Sequence, residues 1–194
     1  MHRILITINL LLLIALGYFA KDDLIDYFDR SPAPTSIPIS KKEIAIEAVF
    51  SPNLGATKKI IEEIAKAKKS ILVAAYSFTS SDLAKALLKA KECGVLIKLI
   101  LDKSQVSQKY SSSRFFINQG FLVKIDSKHA IFHNKFMIID EKTVITGSFN
   151  FTKAAENKNA ENLLIIRNNP ELAKLYTENW LIHWNHSVVV NEIK

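Results

Sequence analysis

From residue 44 onward, short apolar runs alternate with stretches of helical period, and this alternation restricts the fold more than any other feature of the chain. Residues 70–76 are apolar almost without interruption, the pattern of a strand covered on both faces. Residues 56–68 instead place Ile60, Ile61, Ile64 and Ala65 on one helical face. The same reading gives strands at 44–50, 95–101, 121–125, 135–140, 143–146 and 163–167, with a tight turn at Glu141-Lys142. It gives a helix capped by Ser80 or Ser81 and stopped by Gly94, a helix over 105–119, and a last helix opened by Pro170 and carried through Trp180 and Trp184. Strands alternating with helices predict an α/β layered fold: a mixed, mostly parallel sheet flanked by helices, preceded by an N-terminal hydrophobic helix.

That first helix rests on residues 4–20, 17 residues without a charge. They would span about 26 Å as a helix, against a hydrocarbon core of about 30 Å. Two readings stay open. One is a retained membrane anchor with Arg3 on its short side. The other is a secretory signal, for which Tyr18-Phe19-Ala20 is a poor cleavage site. Either places the rest of the chain in an extracytoplasmic, periplasmic-side location, anchored to the membrane or secreted. The expected organisation is a signal or anchor helix at 1–28, a linker at 29–43 carrying Pro32, Pro34 and Pro38, and one domain at 44–190.

Lys and Arg number 26 against 19 Asp and Glu, a net charge of +7, and Arg3 is the only charged residue among the first 20. The positive charge therefore belongs to the linker and domain and suits an anionic partner: nucleic acid, an acidic membrane or a phosphorylated substrate. The one cysteine, Cys93, excludes an intramolecular disulfide and a multi-cysteine zinc site, and reads as a small buried residue.

The chemistry concentrates at 133–150. On a regular strand His133 and Lys135 share a face, setting a nucleophile or base beside a fixed positive charge, while Phe136 and Ile138 face the core. Asp140 is seven residues from His133; the odd spacing turns it away and makes it a structural or supporting group. Gly147 permits close backbone approach, and Ser148 and Asn150 add neutral hydrogen-bond donors. One imidazole, one ammonium, one hydroxyl and one amide make a site for a phosphoryl group without a metal.

The run His-x-Lys-x4-Asp-x6-Gly-Ser-x-Asn resembles the signature of the phospholipase D superfamily, with every fixed position present. Segments 50–52, 75–79, 146–155 and 158–162, with Trp180-x3-Trp184-Asn185, resemble the small bacterial endonucleases of that superfamily that carry one signature per chain. The resemblance covers roughly residues 48–185. It implies a phospholipase D-like fold and a metal-independent phosphodiesterase without a cofactor, foremost a non-specific endonuclease cleaving DNA, with RNA as a further substrate. In that scheme His133 attacks phosphorus to give a phosphohistidine. A second signature histidine protonates the leaving oxygen and then activates water. Lys135, Ser148 and Asn150 would hold phosphate oxygens, Glu161 would fix the histidine tautomer, and Asp140 takes the place of the signature aspartate. The alternative is a phospholipid hydrolase of the cardiolipin type. A third reading, a tethered nucleic-acid binder without catalysis, leaves the intact signature unexplained.

Of the histidines His2, His129, His133, His183 and His186, only His133 is followed by lysine two residues on. A two-histidine mechanism then needs two chains, which predicts a homodimer with one composite site. His129 reads as a loop histidine near the site mouth. His183 and His186, three apart on the last helix, lack an evident third metal ligand. Trp180 and Trp184 read as core. Lys103, Lys109 and Arg114 read equally as a phosphate-tracking rim or as a solvated helix face.

Overall fold

Sheet formation accounts for the apolar runs. The computed structural model describes residues 43–108 and 111–189. Among them lie strands β1 (Ala45–Ser51), β2 (Ser70–Ala75), β3 (Leu96–Asp102), β4 (Leu122–Asp126), β5 (Lys135–Ile139), β6 (Thr143–Gly147), β7 (Glu161–Arg167) and β8 (Val188–Val189). They form one sheet in the order β1-β7-β6-β5-β2-β3-β4-β8. The helices are α1 (Ala56–Lys66), α2 (Ser81–Glu92), α3 (Ser104–Ser107), α4 (Ser113–Asn118), α5 (Lys153–Asn157) and α6 (Pro170–His186). The expected signal or anchor helix at 1–28 and nearly all of the linker at 29–43 lie outside the described residues, as does Lys109. Among the described residues no helix is long and apolar enough to cross a membrane.

The sheet is mixed, but the expectation that it is mostly parallel is corrected. Only β2·β3 and β3·β4 are parallel; the other five neighbouring pairs are antiparallel. A parallel neighbour needs a crossover of a dozen or more residues. Past β4 the connections into β5 and β6 are too short for one, and the longer segment between β6 and β7 returns the chain to an antiparallel neighbour. Strands β5 and β6 are joined by a hairpin whose central residues, Asp140 and Glu141, both have positive φ (51° and 56°). Lys142 N–H donates to the Ile139 carbonyl at 3.2 Å, so the turn sits one residue earlier than the sequence suggests.

The helix expected over 105–119 is divided into α3 and α4. Serines at 111–113 offer the backbone competing partners: Ser113 Oγ donates to the Gln105 carbonyl at 2.8 Å, and Ser111 Oγ accepts from the Ser113 amide at 3.2 Å. Ser80 caps α2 through the Leu83 amide, and Asn169 caps α6 through the Leu172 amide ahead of Pro170. Cys93, expected buried, is exposed at the end of α2.

Two apolar layers cover the faces of the sheet. One packs Ile60, Ile64, Leu83 and Leu87 of α1 and α2 against Val73, Leu99, Met137 and Ile145. The other packs Ala173 and Trp180 of α6 against Ala74, Ile100, Phe136, Ile138 and Val144. Alternate residues of β5 therefore enter opposite layers, as the strand period requires. Trp180 is buried, donates from Nε1 to the Val73 carbonyl at 2.9 Å, and stacks on Trp184 at 4.8 Å.

Candidate active site

The β5 strand enters the sheet directly from the segment that carries His133. Its first residue, Lys135, is buried (8% exposed), whereas His133 is exposed. Lys135 Nζ folds back and donates to the His133 carbonyl at 2.9 Å. Tyr76, one residue past β2, holds both groups. Its ring lies 4.7 Å from the His133 ring and 5.0 Å from Lys135 Nζ, and its amide donates to the Asn134 carbonyl at 2.7 Å. Burial pushes the Lys135 ammonium below its ordinary pKa, while the Glu161 carboxylate pulls it upward. The cation thus sits with little solvent around it, where its pull on an anion is strongest.

The opposite wall comes from the end of β6 and the start of β7. Gly147 pairs with Leu163, and a Cβ there would run into the Asn162 carbonyl and come within 3.0 Å of Leu163 Cα. Only glycine allows this approach, which delivers Ser148 to Glu161. Ser148 Oγ donates to Glu161 Oε2 at 2.6 Å and accepts from the Asn162 amide at 3.1 Å. Asn159 Nδ2 donates to Glu161 Oε1 at 3.0 Å. Both carboxylate oxygens of Glu161 are thus engaged, and among the described residues neither bonds His133 of the same chain. Asn150 Oδ1 is buried without a hydrogen-bond partner. A cleft of about 400 Å³ includes His133, Lys135, Gly147, Leu175 and Tyr176, and one of about 510 Å³ includes Tyr76, Asn150, Thr152 and Lys153.

Asp140 is not brought to this site. It lies past the other end of β5, where its carboxylate accepts from the backbone amides of Lys68, Lys69 and Ser70 at 2.7–3.1 Å. Burial alone would raise its pKa, but these bonds hold the carboxyl below its usual value. The parity argument that turned Asp140 away from His133 agrees with this placement.

Sequence reasoning missed two features. Tyr76 was visible only as part of a matching segment. The second is a cluster behind the site: Asp126, His129, His183 and His186 each bring one ligand atom within 4.8 Å of the others. His183 and His186 do therefore have further ligands beside them, contrary to expectation. The missing partners lie on another strand and loop, more than 50 residues away in sequence, where no spacing rule reaches them.

An exposed imidazole beside a buried ammonium, with a hydroxyl and an amide on the facing wall, is the apparatus of a phosphodiesterase, and comparison with known proteins supports that class. The family model described as "Cardiolipin synthase, PLD-like domain" matches residues 60–184. The chain belongs to this phospholipase D family and is a phosphodiesterase of the superfamily. A protein named phospholipase D from Rickettsia conorii is 39% identical over 187 residues, covering 91% of this chain and 92% of the relative. The mitochondrial cardiolipin hydrolase of Danio rerio is 27% identical over 134 residues, 69% of this chain and 59% of the relative. Among solved structures, the phospholipase D family member Nuc of Salmonella typhimurium superposes with a TM-score of 0.74 at 39% identity, covering 77% of this chain and 100% of that one. NucT of Helicobacter pylori, at 24% identity and a TM-score of 0.70 with 76% and 100% covered, shares the fold.

Proposed function

We propose that this chain is a nuclease that cleaves a nucleic-acid backbone, DNA foremost and RNA as a further substrate, through a phosphohistidine formed at a composite site between two copies. The observation that carries the reading is the exposed His133 ring and the buried Lys135 ammonium held against one Tyr76 ring in a chain of net positive charge. His133 of one copy attacks phosphorus, and the P–O bond to the leaving nucleotide breaks as His133 of the second copy protonates the departing oxygen. That second imidazole, now neutral, takes a proton from water, whose oxygen displaces the first histidine and leaves a phosphomonoester. Lys135, Ser148 and Asn150 bind the non-bridging oxygens through the in-line displacement. In this scheme Asn150 turns its amide nitrogen toward the phosphate. In the same scheme Glu161, its carboxylate fixed by Ser148 and Asn159, accepts one further hydrogen bond from the histidine that it orients. Electrostatic attraction to the backbone brings substrate in without base readout.

An N-terminal anchor or signal places this activity on the extracytoplasmic side, with the anchor form held at the membrane. A second reading, hydrolysis of a phospholipid headgroup, draws on Leu175, which is 62% exposed beside the His133 cleft, and on the names of the relatives.

The test is to assay the full-length chain in detergent on single- and double-stranded DNA, on RNA and on cardiolipin vesicles. A denaturing quench at alkaline pH, where a phosphorus–imidazole bond survives, should trap a nucleic-acid adduct on His133. Cleavage confined to lipid transfers the conclusion to the second reading, and strict dependence on added Mg2+ overturns the mechanism. Mixing wild type with His133→Ala in equal amounts should lower activity per wild-type chain by about half, because every mixed dimer lacks one histidine. A strictly monomeric chain with full turnover would exclude the composite site.

A further inference from the structure

We infer that Asp126, His129, His183 and His186 form a four-ligand site for a borderline divalent transition ion, zinc foremost, which ties the loop carrying His133 to helix α6. Oδ2 of Asp126 lies 2.9 Å from His129 Nδ1, 3.2 Å from His183 Nδ1 and 3.0 Å from His186 Nε2. A tetrahedral zinc with bonds of about 2.0–2.1 Å separates its ligand atoms by about 3.3 Å; the three Asp126–histidine separations are already near that value, and the set as a whole, within 4.8 Å, closes around an ion by rotation of the histidine rings. Without an ion, all three rings must each turn an N–H toward a single carboxylate oxygen. With one, each presents a lone pair, the form in which neutral imidazole binds metal.

The support around the set favours the second arrangement. Asp126 is fully buried, and its other oxygen, Oδ1, accepts the amides of Lys128 at 3.0 Å and His129 at 3.2 Å. Oδ1 also lies 3.1 Å from His129 Nδ1, but Oδ2 alone is within reach of all three rings, with the carboxylate orientation held by backbone donors. His183 and His186 are half-buried, and the His129 side chain is 44% exposed, which leaves an entry side for the ion. Three imidazoles and one carboxylate suit zinc better than magnesium or calcium, which take oxygen ligands. Four protein ligands leave no open position, so the site is structural and takes no part in the phosphoryl step.

Its place in the fold gives it a task. Asp126 ends β4, His129 follows in the same loop, and His133 comes four residues later. The loop already has two ties: Phe132 N–H donates to buried Asp102 Oδ2 at 2.7 Å, and Lys103 Nζ donates to the His129 carbonyl at 3.1 Å. A metal would add a third tie, to α6. The inference is independent of the substrate reading, since it concerns residues outside the phosphate site.

The experiment uses tag-free full-length chain in detergent, loaded with Zn2+ and then desalted. Wild type is expected to retain about one zinc per chain. With Zn2+ at about 100 times its dissociation constant, the melting temperature should rise by about 5 °C or more, whereas Mg2+ gives no rise. Co2+ in its place should show the intense visible bands of a tetrahedral ion. His129→Ala, at the most exposed of the four positions, should lose retention, the Co2+ bands and the thermal rise; Asp126→Asn should do the same. His133→Ala should keep all three. Retention by His129→Ala equal to wild type, loss by His133→Ala, or no retained zinc in wild type would each overturn the site.

Discussion

The two ends of β5 carry the same signature and are built in opposite ways. At the start, His133 is exposed, Lys135 is buried, and on the facing wall Asn150 Oδ1 has no hydrogen-bond partner. Past the far end, the Asp140 carboxylate accepts from three backbone amides. A carboxylate that gathers three consecutive backbone amides ties two segments of chain together and lies away from any substrate. A donor left short of partners in a low-dielectric cleft, as the Lys135 ammonium is with one hydrogen bond among the described residues, is one that an incoming phosphate can complete. The signature therefore joins a working end to an anchoring end along one strand.

The strongest test of that contrast is His133→Ala. Turnover should fall by at least about 10³-fold, equivalent to about 4 kcal/mol of transition-state stabilisation, with the melting temperature almost unchanged. Single-turnover kinetics and calorimetry on the same sample measure both. A large loss of stability would mean that the working end is also structural.

Gly147→Ala probes the wall opposite His133. The Asn162 carbonyl it would strike already accepts the amides of Ser148 and Phe149 at 3.1 and 3.3 Å, so it has little freedom to yield. We expect about 3 kcal/mol of destabilisation, with activity lost as Ser148 is displaced. Denaturant unfolding reads the first quantity; a wild-type midpoint would show that the close approach is dispensable.

Asp140→Asn reverses the pattern at the anchoring end. Asparagine tolerates the positive φ and keeps the shape, so the change isolates the charge. Three charge-assisted hydrogen bonds weaken, at a cost of about 2 kcal/mol, while kcat per folded molecule stays within about twofold of wild type. The pH dependence follows from the sign of the shift. The folded carboxyl titrates below its unfolded value of about 4, so its stabilisation is complete above that pH and fades as pH falls through the depressed folded value. The gap in unfolding free energy between wild type and Asp140→Asn should hold from neutrality down to about pH 5 and narrow below about pH 4. A gap independent of pH would assign the effect to packing.

Period and spacing made β1 to β7, a serine cap at Ser80 or Ser81, the opening of α6 at Pro170 and the opposed ends of β5 legible, because those depend on neighbours within a few residues. The pairing of strands was less legible. Alternating elements suit a parallel sheet, and of the turns back after β4 only the hairpin between β5 and β6 is short enough to show itself in the spacing. Residues gathered from distant segments were least legible. His183 and His186 stand on α6, while Asp126 lies 57 positions before His183, and only the sheet order brings them together. Tyr76 belongs to the same class, since nothing near it in sequence indicates that its ring will meet a histidine 57 residues later.

Tyr76 supplies the finest division of the working end. Its ring touches both His133 and Lys135, and among the described residues its hydroxyl makes no hydrogen bond. If the ring serves as a wall that orients the imidazole and shields the ammonium, Tyr76→Phe should leave kcat/KM within about twofold of wild type. Tyr76→Ala should then cost about tenfold, because a histidine released from its stacking partner spends less time aligned with phosphorus. The ammonium would also gain water, and Lys135 would return toward its ordinary pKa. A 100-fold loss in Tyr76→Phe would place the phenol itself on the substrate and enlarge the set of groups that contact the phosphate. Near-identity of Phe and wild type, with a deficit in Ala, would show that the working end needs a rigid apolar surface behind its nucleophile as well as polar groups in front of it.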